Sequence, residues 1–385
     1  MSRGSQSVLR ELGVKPIINA CGTLTTLGGS TLADEVSDAW TEASKVYLDM
    51  NELHAKAGEF IAKLTGADAA YITAGTAASL VISTAACMTN GETVKMAQLP
   101  KTQGMRNEVI VQRLHHNEFE FLFEIAGAEI VEIGDERATT PEELEDAISE
   151  KTAVVAYFVF DPQEGVLPLA TVLEISHRHG VPVIVDAAAE IPPVENLTKF
   201  IRMGCDLVLY SAGKDIGAPG DTGIILGRRE LVRTCMRLGP HSREIISSEP
   251  RDYIGRPMKT SKEDILAVVA ALQRYFRTDH ARRYDAWEKK IQYMVSELSK
   301  KCSGLEVNRV LPGHNHPRPV SIPRVELQFH NGITADEVSR KLCGGDPPIF
   351  AHVMDNRLYL NPQCLRDGEE EVVVHRITEI LSARS

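Results

Sequence analysis

The chain of 385 residues lacks the marks of several common protein classes. Its seven cysteines stand far apart, at positions 21, 87, 205, 235, 302, 343 and 364, and none forms a Cys-x-x-Cys pair. An odd number at such spacing fits reduced thiols in a cytosolic protein and excludes a disulfide framework. No apolar run approaches the length of a membrane span, and the opening MSRGSQS has no apolar centre of a secretion signal. A cytoplasmic protein with no membrane partner is therefore expected. Positive charge is in short supply: 42 Lys and Arg against 53 Asp and Glu leave a net charge of −11. That balance argues against broad electrostatic binding of nucleic acid or anionic lipid. Nucleotide fingerprints are missing too. GAPGDTG at 217–223 has neither the Gly-Lys-Ser/Thr of a P-loop nor a helix after it, and no Gly-x-Gly-x-x-Gly joins a strand to a helix. There is no internal repeat and no low-complexity tract.

What is present reads as a soluble α/β protein. Apolar residues make up 43% and charged residues 25%, and the length calls for two domains, one large and one small. From residue 69 strand and helix patterns alternate: strands at 69–73, 108–112, 129–133, 154–160, 181–186, 206–211 and 222–227, with helices starting near Gly75, Phe119, Thr140, 168 and 195. Earlier come helices at 5–13, 34–49 and 51–65, with an extended segment from Pro16 to Gly22. Such alternation predicts a mainly parallel sheet with helices on both faces. The unbroken apolar run Val154–Phe160 suits a strand buried on both sides. Beyond about residue 245 the texture changes. Ser261 caps a long charged helix to about Lys301, followed by strands at 320–329 and 357–360 and helices at 334–342 and 368–381. The expected division is a leading segment and large domain over 1–245, and a linking helix with a small α+β domain over 246–385.

One constellation carries chemistry. The strand 206–211 ends in Ser211-Ala-Gly-Lys214, and the strand 181–186 ends on Asp186. Ligands of such sheets bind at the carboxyl ends of the strands. A strand-end carboxylate followed by a strand-end Ser-x-x-Lys suits pyridoxal 5'-phosphate (PLP). Lys214 makes the Schiff base, Asp186 holds a proton on the ring nitrogen, and Ser211 bonds the phosphate. Gly75-Thr76-Ala77 stands where a strand meets a helix. It is either a phosphate cup of backbone N–H groups or a small-residue turn that lets the helix pack closely. His115-His116, after the strand 108–112, either stacks a ring on the cofactor or is an ordinary loop pair. No third ligand at a telling spacing supports a metal site there. His314 and His316 look like part of a polar loop. Arg106, Arg113, Arg256 and Lys259 could hold a distal phosphate or simply be surface charges. Cys343 is a candidate reactive thiol, though a buried thiol of the small domain fits as well.

These residues resemble the fold-type I PLP enzymes, in particular the selenocysteine synthase-like group (L-seryl-tRNA selenium transferase and its shorter ammonia-lyase relatives). The resemblance runs over nearly the whole chain. It is carried by Ile17–Ser30 (IINACGTLTTLGGS), Thr73–Ala78 (TAGTAA), Gln112–His116 (QRLHH), Val185–Glu190 (VDAAAE) and Tyr210–Lys214 (YSAGK). It implies a homodimer or larger homo-oligomer. It also implies a substrate pocket bordered by the segment with Asn19 and Thr23, and a substrate carboxylate held by an arginine of the small domain, with Arg357 and Arg366 as candidates. Two departures stand out. The selenium transferase proper is longer, with a tRNA-binding domain at its N-terminus, whereas this chain starts almost at the catalytic segment and is acidic, so no nucleic-acid partner is expected. The Gly or Ser residues usual after the strand-end Asp are replaced by Ala187-Ala-Ala-Glu190.

The expected activity is a PLP-dependent ammonia-lyase acting on a small hydroxylated amino acid or amino-sugar acid, such as 2-amino-2-deoxygluconate or its 6-phosphate. Abstraction of the α-proton and loss of a β-hydroxyl would give a 2-keto-3-deoxy acid and ammonia. Racemisation, aldol cleavage, transamination, and selenium or sulfur transfer begin with the same parts. A binding protein that keeps the fold without activity is the non-enzymatic alternative.

Overall fold

The computed structural model describes residues 5–160, 163–242, 253–313, 318–330 and 332–382. They form two compact units, one running from Ser30 to Thr278, the other joining Met1–Gly29 to Asp279–Ser385. The break expected after residue 245 thus lies at 278, and the leading segment belongs with the C-terminal unit. Backbone pairing explains the second difference: Ile18–Ala20 lies parallel to Ile349–Ala351. Packing explains the first, because the helix Lys262–Arg277 lies on the helices Asp34–Ser44 and Met50–Thr65 of the larger unit.

In the larger unit seven strands make one sheet: β1 (Ala69–Thr73), β2 (Glu108–Gln112), β3 (Glu129–Ile133), β4 (Thr152–Phe158), β5 (Val183–Asp186), β6 (Leu207–Ser211) and β7 (Gly223–Gly227). Their spatial order is β1-β7-β6-β5-β4-β2-β3. All run in one direction except β7, which is antiparallel to both β1 and β6. The apolar runs follow from this layout. Val155, Val183, Val185 and Val208 face one hydrophobic cluster, while Val154, Ala156, Ile184 and Leu209 face the other. Every residue of β4 is buried, as a strand covered on both sides requires.

Helix boundaries follow local chemistry. Thr140 and Glu143 form a reciprocal capping box ahead of Pro141–Ala147. The single helix expected from Ser261 to Lys301 is two, Lys262–Arg277 and His280–Lys301. Ser261 caps the first, and Asp279 caps the second by accepting from the Arg282 N–H at 3.0 Å. A new N-cap inside a periodic stretch starts a new helix.

The smaller unit holds a five-stranded sheet in the order Ile18–Ala20, Ile349–Met354, Arg357–Leu360, Arg324–Phe329, Leu305–Val310. The helices His280–Lys301, Ala335–Cys343 and Glu369–Ser382 complete it. Strands 305–310 and 349–354 were not anticipated, and neither were the helices Thr93–Gln98 and Arg229–Leu238. The two strands are mostly half-exposed, so they lack the solid apolar run that marks β4. His314 and His316 lie outside the described residues. Among the described residues no helix is long and apolar enough to cross a membrane, and no cluster of three or more His, Cys, Asp or Glu could hold a metal ion.

Candidate active site

The carboxyl ends of the parallel strands bring most of the sequence-derived site residues to one edge of the sheet. Strand register sets the arrangement. Thr73 at the end of β1 and Ser211 at the end of β6 both pair with Gly223 of β7, which lies between them. A Cβ on Gly223 would fall 2.6 Å from the Gly75 carbonyl carbon, so only glycine lets the backbones of 75 and 223 meet. Gly75 itself has φ +78, the left-handed region that glycine enters without strain. It opens the helix Gly75–Thr89, a four-turn helix whose first N–H groups stand beside Ser211's strand. The Thr73 hydroxyl meets the Ser79 hydroxyl at 2.6 Å and donates to the Gly75 carbonyl at 3.1 Å, fixing this turn. Thr76 Oγ1 is buried and has no hydrogen-bond partner among the described residues. A buried hydroxyl left open at a helix N-terminus fits a phosphate oxygen.

One strand further over, Asp186 ends β5 and accepts from the Ala188 N–H at 2.9 Å. Burial pushes its carboxyl up to about 6, opposed by the Ala188 bond and the Lys214 charge, while the Glu190 charge adds to the rise. Burial pushes the Lys214 ammonium down, opposed by the negative charges of Asp186 and Glu190. Each group thus shifts against its neighbour's attraction, because loss of water weighs more on both than their pairing returns. A pyridinium nitrogen beside Asp186 would offset the loss of water that raises this carboxyl. The Thr76 hydroxyl, the glycine-lined cup, Ser211, the half-buried carboxylate and the half-buried lysine together fit PLP.

Two further residues lie close to the Lys214 and Asp186 turns without standing out in the sequence. Glu190 is 7% exposed and sits in the turn after β5, its N–H donating to the Ala187 carbonyl. The signal was present: a single charge closing an otherwise all-alanine turn. Ser30 donates its hydroxyl to the Gly213 carbonyl at 3.0 Å, across 183 residues of sequence, a contact no local pattern announces.

The histidine pair divides. His115 is 1% exposed, edge-on to Tyr157 at 4.6 Å and to Phe158 and Phe160. Burial lowers it to about 4, so the ring is neutral at pH 7. His116 is exposed, its Nδ1 3.0 Å from Glu120 Oε2. Ala77 is exposed on the first turn of the helix. Of the basic candidates, Arg113 is paired with Glu132 at 2.6 Å, and Arg106, Arg256 and Lys259 are exposed. The Cys343 thiol donates to the Ile349 carbonyl, and burial raises it, which disfavours a reactive thiolate.

Asn19, Thr23 and Arg357 belong to the smaller unit. The Asn19 amide builds its own turn, accepting from the Cys21 and Gly22 N–H groups and donating to the Gly22 carbonyl. Arg357 bonds Glu326 Oε2 at 3.0 Å, as does the Tyr359 hydroxyl at 2.9 Å. Thr23 follows the Asn19 turn and is half-buried.

Fold and site define a fold-type I PLP enzyme. The chain belongs to the aminotransferase class-V family, whose model matches residues 26–339. D-glucosaminate-6-phosphate ammonia lyase of Salmonella typhimurium strain 14028s is 31% identical over 384 residues, 97% of this chain and 98% of its own. The solved structure of an enzyme of that name superposes with a TM-score of 0.81 at 30% identity, covering 97% of this chain and 99% of that one. A 5'-C-glycyluridine monooxygenase-decarboxylase of a Streptomyces species is also 31% identical, over 97% of this chain and 91% of its own. The L-seryl-tRNA(Sec) selenium transferase of Solidesulfovibrio magneticus is 25% identical over 93% of this chain and 80% of its own. The cofactor is pyridoxal 5'-phosphate, and lyase chemistry is what the full-length match supports.

Proposed function

We propose that the protein is an ammonia-lyase that removes water and then ammonia from a small hydroxylated amino acid or amino-sugar acid of the D-glucosaminate-6-phosphate kind. The observation that carries this reading is the match to an ammonia lyase along nearly the full length of both chains, with a TM-score of 0.81 to a solved structure of that name. Bound PLP supplies an electron sink for the pair left behind when the α-proton departs. Asp186 keeps the proton on the ring nitrogen. The N–H groups of the helix Gly75–Thr89, the Thr76 hydroxyl and Ser211 hold the phosphate. Lys214, kept from ready protonation by burial, takes the α-proton as a free amine and becomes an acid. It then gives that proton to the departing β-hydroxyl, which leaves as water. His115 is a weaker choice of acid, being neutral, and His116 points to solvent. The enamine so formed tautomerises to an imine, and water hydrolyses it to a 2-keto-3-deoxy acid and ammonia.

Thr23 and Arg357 are proposed for the substrate side, with Arg357 exchanging its Glu326 partner for a substrate carboxylate. Asn19 shapes the turn that carries Thr23. The substrate is proposed as a small molecule, and the assembly as a homodimer or larger homo-oligomer.

The test is to incubate the PLP-loaded protein with D-glucosaminate, its 6-phosphate, and D- and L-serine, and to assay keto acid and ammonia together. Equal yields of both from a sugar amino acid are expected, and K214A should form neither. Carbon dioxide release with oxygen uptake would instead favour the chemistry named for the Streptomyces relative. Keto acid formed only with a keto-acid co-substrate, without ammonia, would mean transamination.

A further inference from the structure

The turn that carries Lys214 is tied down on both flanks, and one tie uses a buried acid that the reaction above leaves idle. Before the lysine, the Ala212 N–H donates to the Thr222 carbonyl, and the Gly213 carbonyl accepts from Ser30. Gly213 lies so near Gly220 that a Cβ would fall 2.5 Å from the Gly220 Cα. After the lysine comes Asp215, 8% exposed, whose Oδ2 accepts from the Tyr275 hydroxyl at 2.6 Å. Tyr275 is 1% exposed, near the end of the helix Lys262–Arg277, which buries Ile265, Ala267, Val268, Ala271 and Leu272 in the core. The hydroxyl is thus a fixed point on a well-anchored helix. A hydroxyl donating at 2.6 Å fixes both the distance and the direction of its acceptor oxygen.

We propose that Tyr275 is a positioning residue for Lys214, acting through its hydrogen bond to Asp215. This rests on Lys214 being the cofactor lysine, and it adds a residue 61 positions away whose role is geometric. With the turn held on both sides, the amine of Lys214 returns to one place whenever it is released, instead of sampling several rotamers over a loose backbone. Misplacement of about 1 Å at a reacting group is enough to cost large factors in rate.

Wild type, Y275F, D215N and D215A are purified free of PLP, and PLP capture is followed by visible absorbance across pH. Circular dichroism checks the fold. Asparagine keeps an oxygen that can accept from Tyr275, so D215N separates the bond from the charge. Y275F and D215A are expected to capture PLP on the order of tenfold more slowly, and to shift the pH midpoint of the visible band. D215N should stay within about twofold of wild type, as a role resting on the bond requires. If Y275F does not fold, D215A carries the same expectation with the helix side chain intact. Wild-type capture and band titration in a folded Y275F or D215A would overturn the proposal, and so would a D215N as impaired as D215A. If wild type shows no visible band with PLP, it is the Lys214 assignment that fails.

Discussion

Asp186 and Lys214 carry opposite charges at one strand edge, yet each is shifted toward its neutral form. The apo-protein therefore holds a carboxylate that costs stability at neutral pH. An isosteric amide removes that cost but cannot hold a proton on the cofactor nitrogen. D186N is expected to melt higher than wild type in the absence of PLP at pH 7, by on the order of 1–3 kcal/mol of stability, and to bind PLP at least about tenfold more weakly. Calorimetry of both proteins, with and without cofactor, checks the reversal. Glu190 adds a second expectation. Its charge favours the protonated form of Lys214, so E190Q should let the amine lose its proton at lower pH. The pH midpoint for PLP capture by apo-protein should then move down, and a midpoint that stays put or rises would remove Glu190 from the site. At this scale Lys214, Asp186 and Ser211 stand out in the sequence, because Asp186 and Ser211 each close an apolar strand with a polar group and Lys214 follows in a turn of small residues. Ser30 and Tyr275 are not, since their partners lie 183 and 60 residues away.

The turn from β1 into the helix Gly75–Thr89 works as one element with β7. Gly75 needs φ +78, and Gly223 must admit the Gly75 backbone. G223A places a methyl into that backbone contact and should push the cup away from Ser211. Overpacking of this kind costs about 1–3 kcal/mol, and PLP affinity should fall with it, measured by equilibrium dialysis. Alternating strands and helices were readable through this unit because a covered parallel sheet shows unbroken apolar runs. The antiparallel β7 was not distinguishable: its GIILG looks like any buried strand, and direction is set by the connection. The helix break at Asp279 and the half-exposed strands of the smaller unit were hidden for related reasons. One polar residue in a charged helix looks ordinary, and half-buried strands alternate weakly.

At the scale of the whole molecule, pH response sums opposing groups. His54 is lowered to about 3 by burial and the neighbouring His241, and His115 to about 4 by burial. Both stay neutral in the fold while the unfolded chain protonates them below about 6.5, so their contribution is present above that pH and is lost as pH falls. Asp186, raised to about 6, acts the other way, favouring the fold more as pH falls from 6 toward 3.8. Two histidines against one carboxylate leave a net loss of roughly 1.4 kcal/mol per pH unit between about 6 and 4. Thermal melts of the apo-protein should fall over that range, and a rise would contradict the balance. The exposed apolar run Val46-Tyr47-Leu48, at 45%, 103% and 41%, suits burial against a second copy. Light scattering should give at least twice the chain mass, and Y47E should lower it.

The most direct measurement is borohydride reduction of the PLP-loaded protein followed by peptide mapping. The account predicts the cofactor fixed on the Nζ of Lys214, within the peptide that carries Ser211 and Asp215, and nowhere else. Cofactor fixed on another lysine, or no cofactor fixed on a protein that binds PLP, would contradict it.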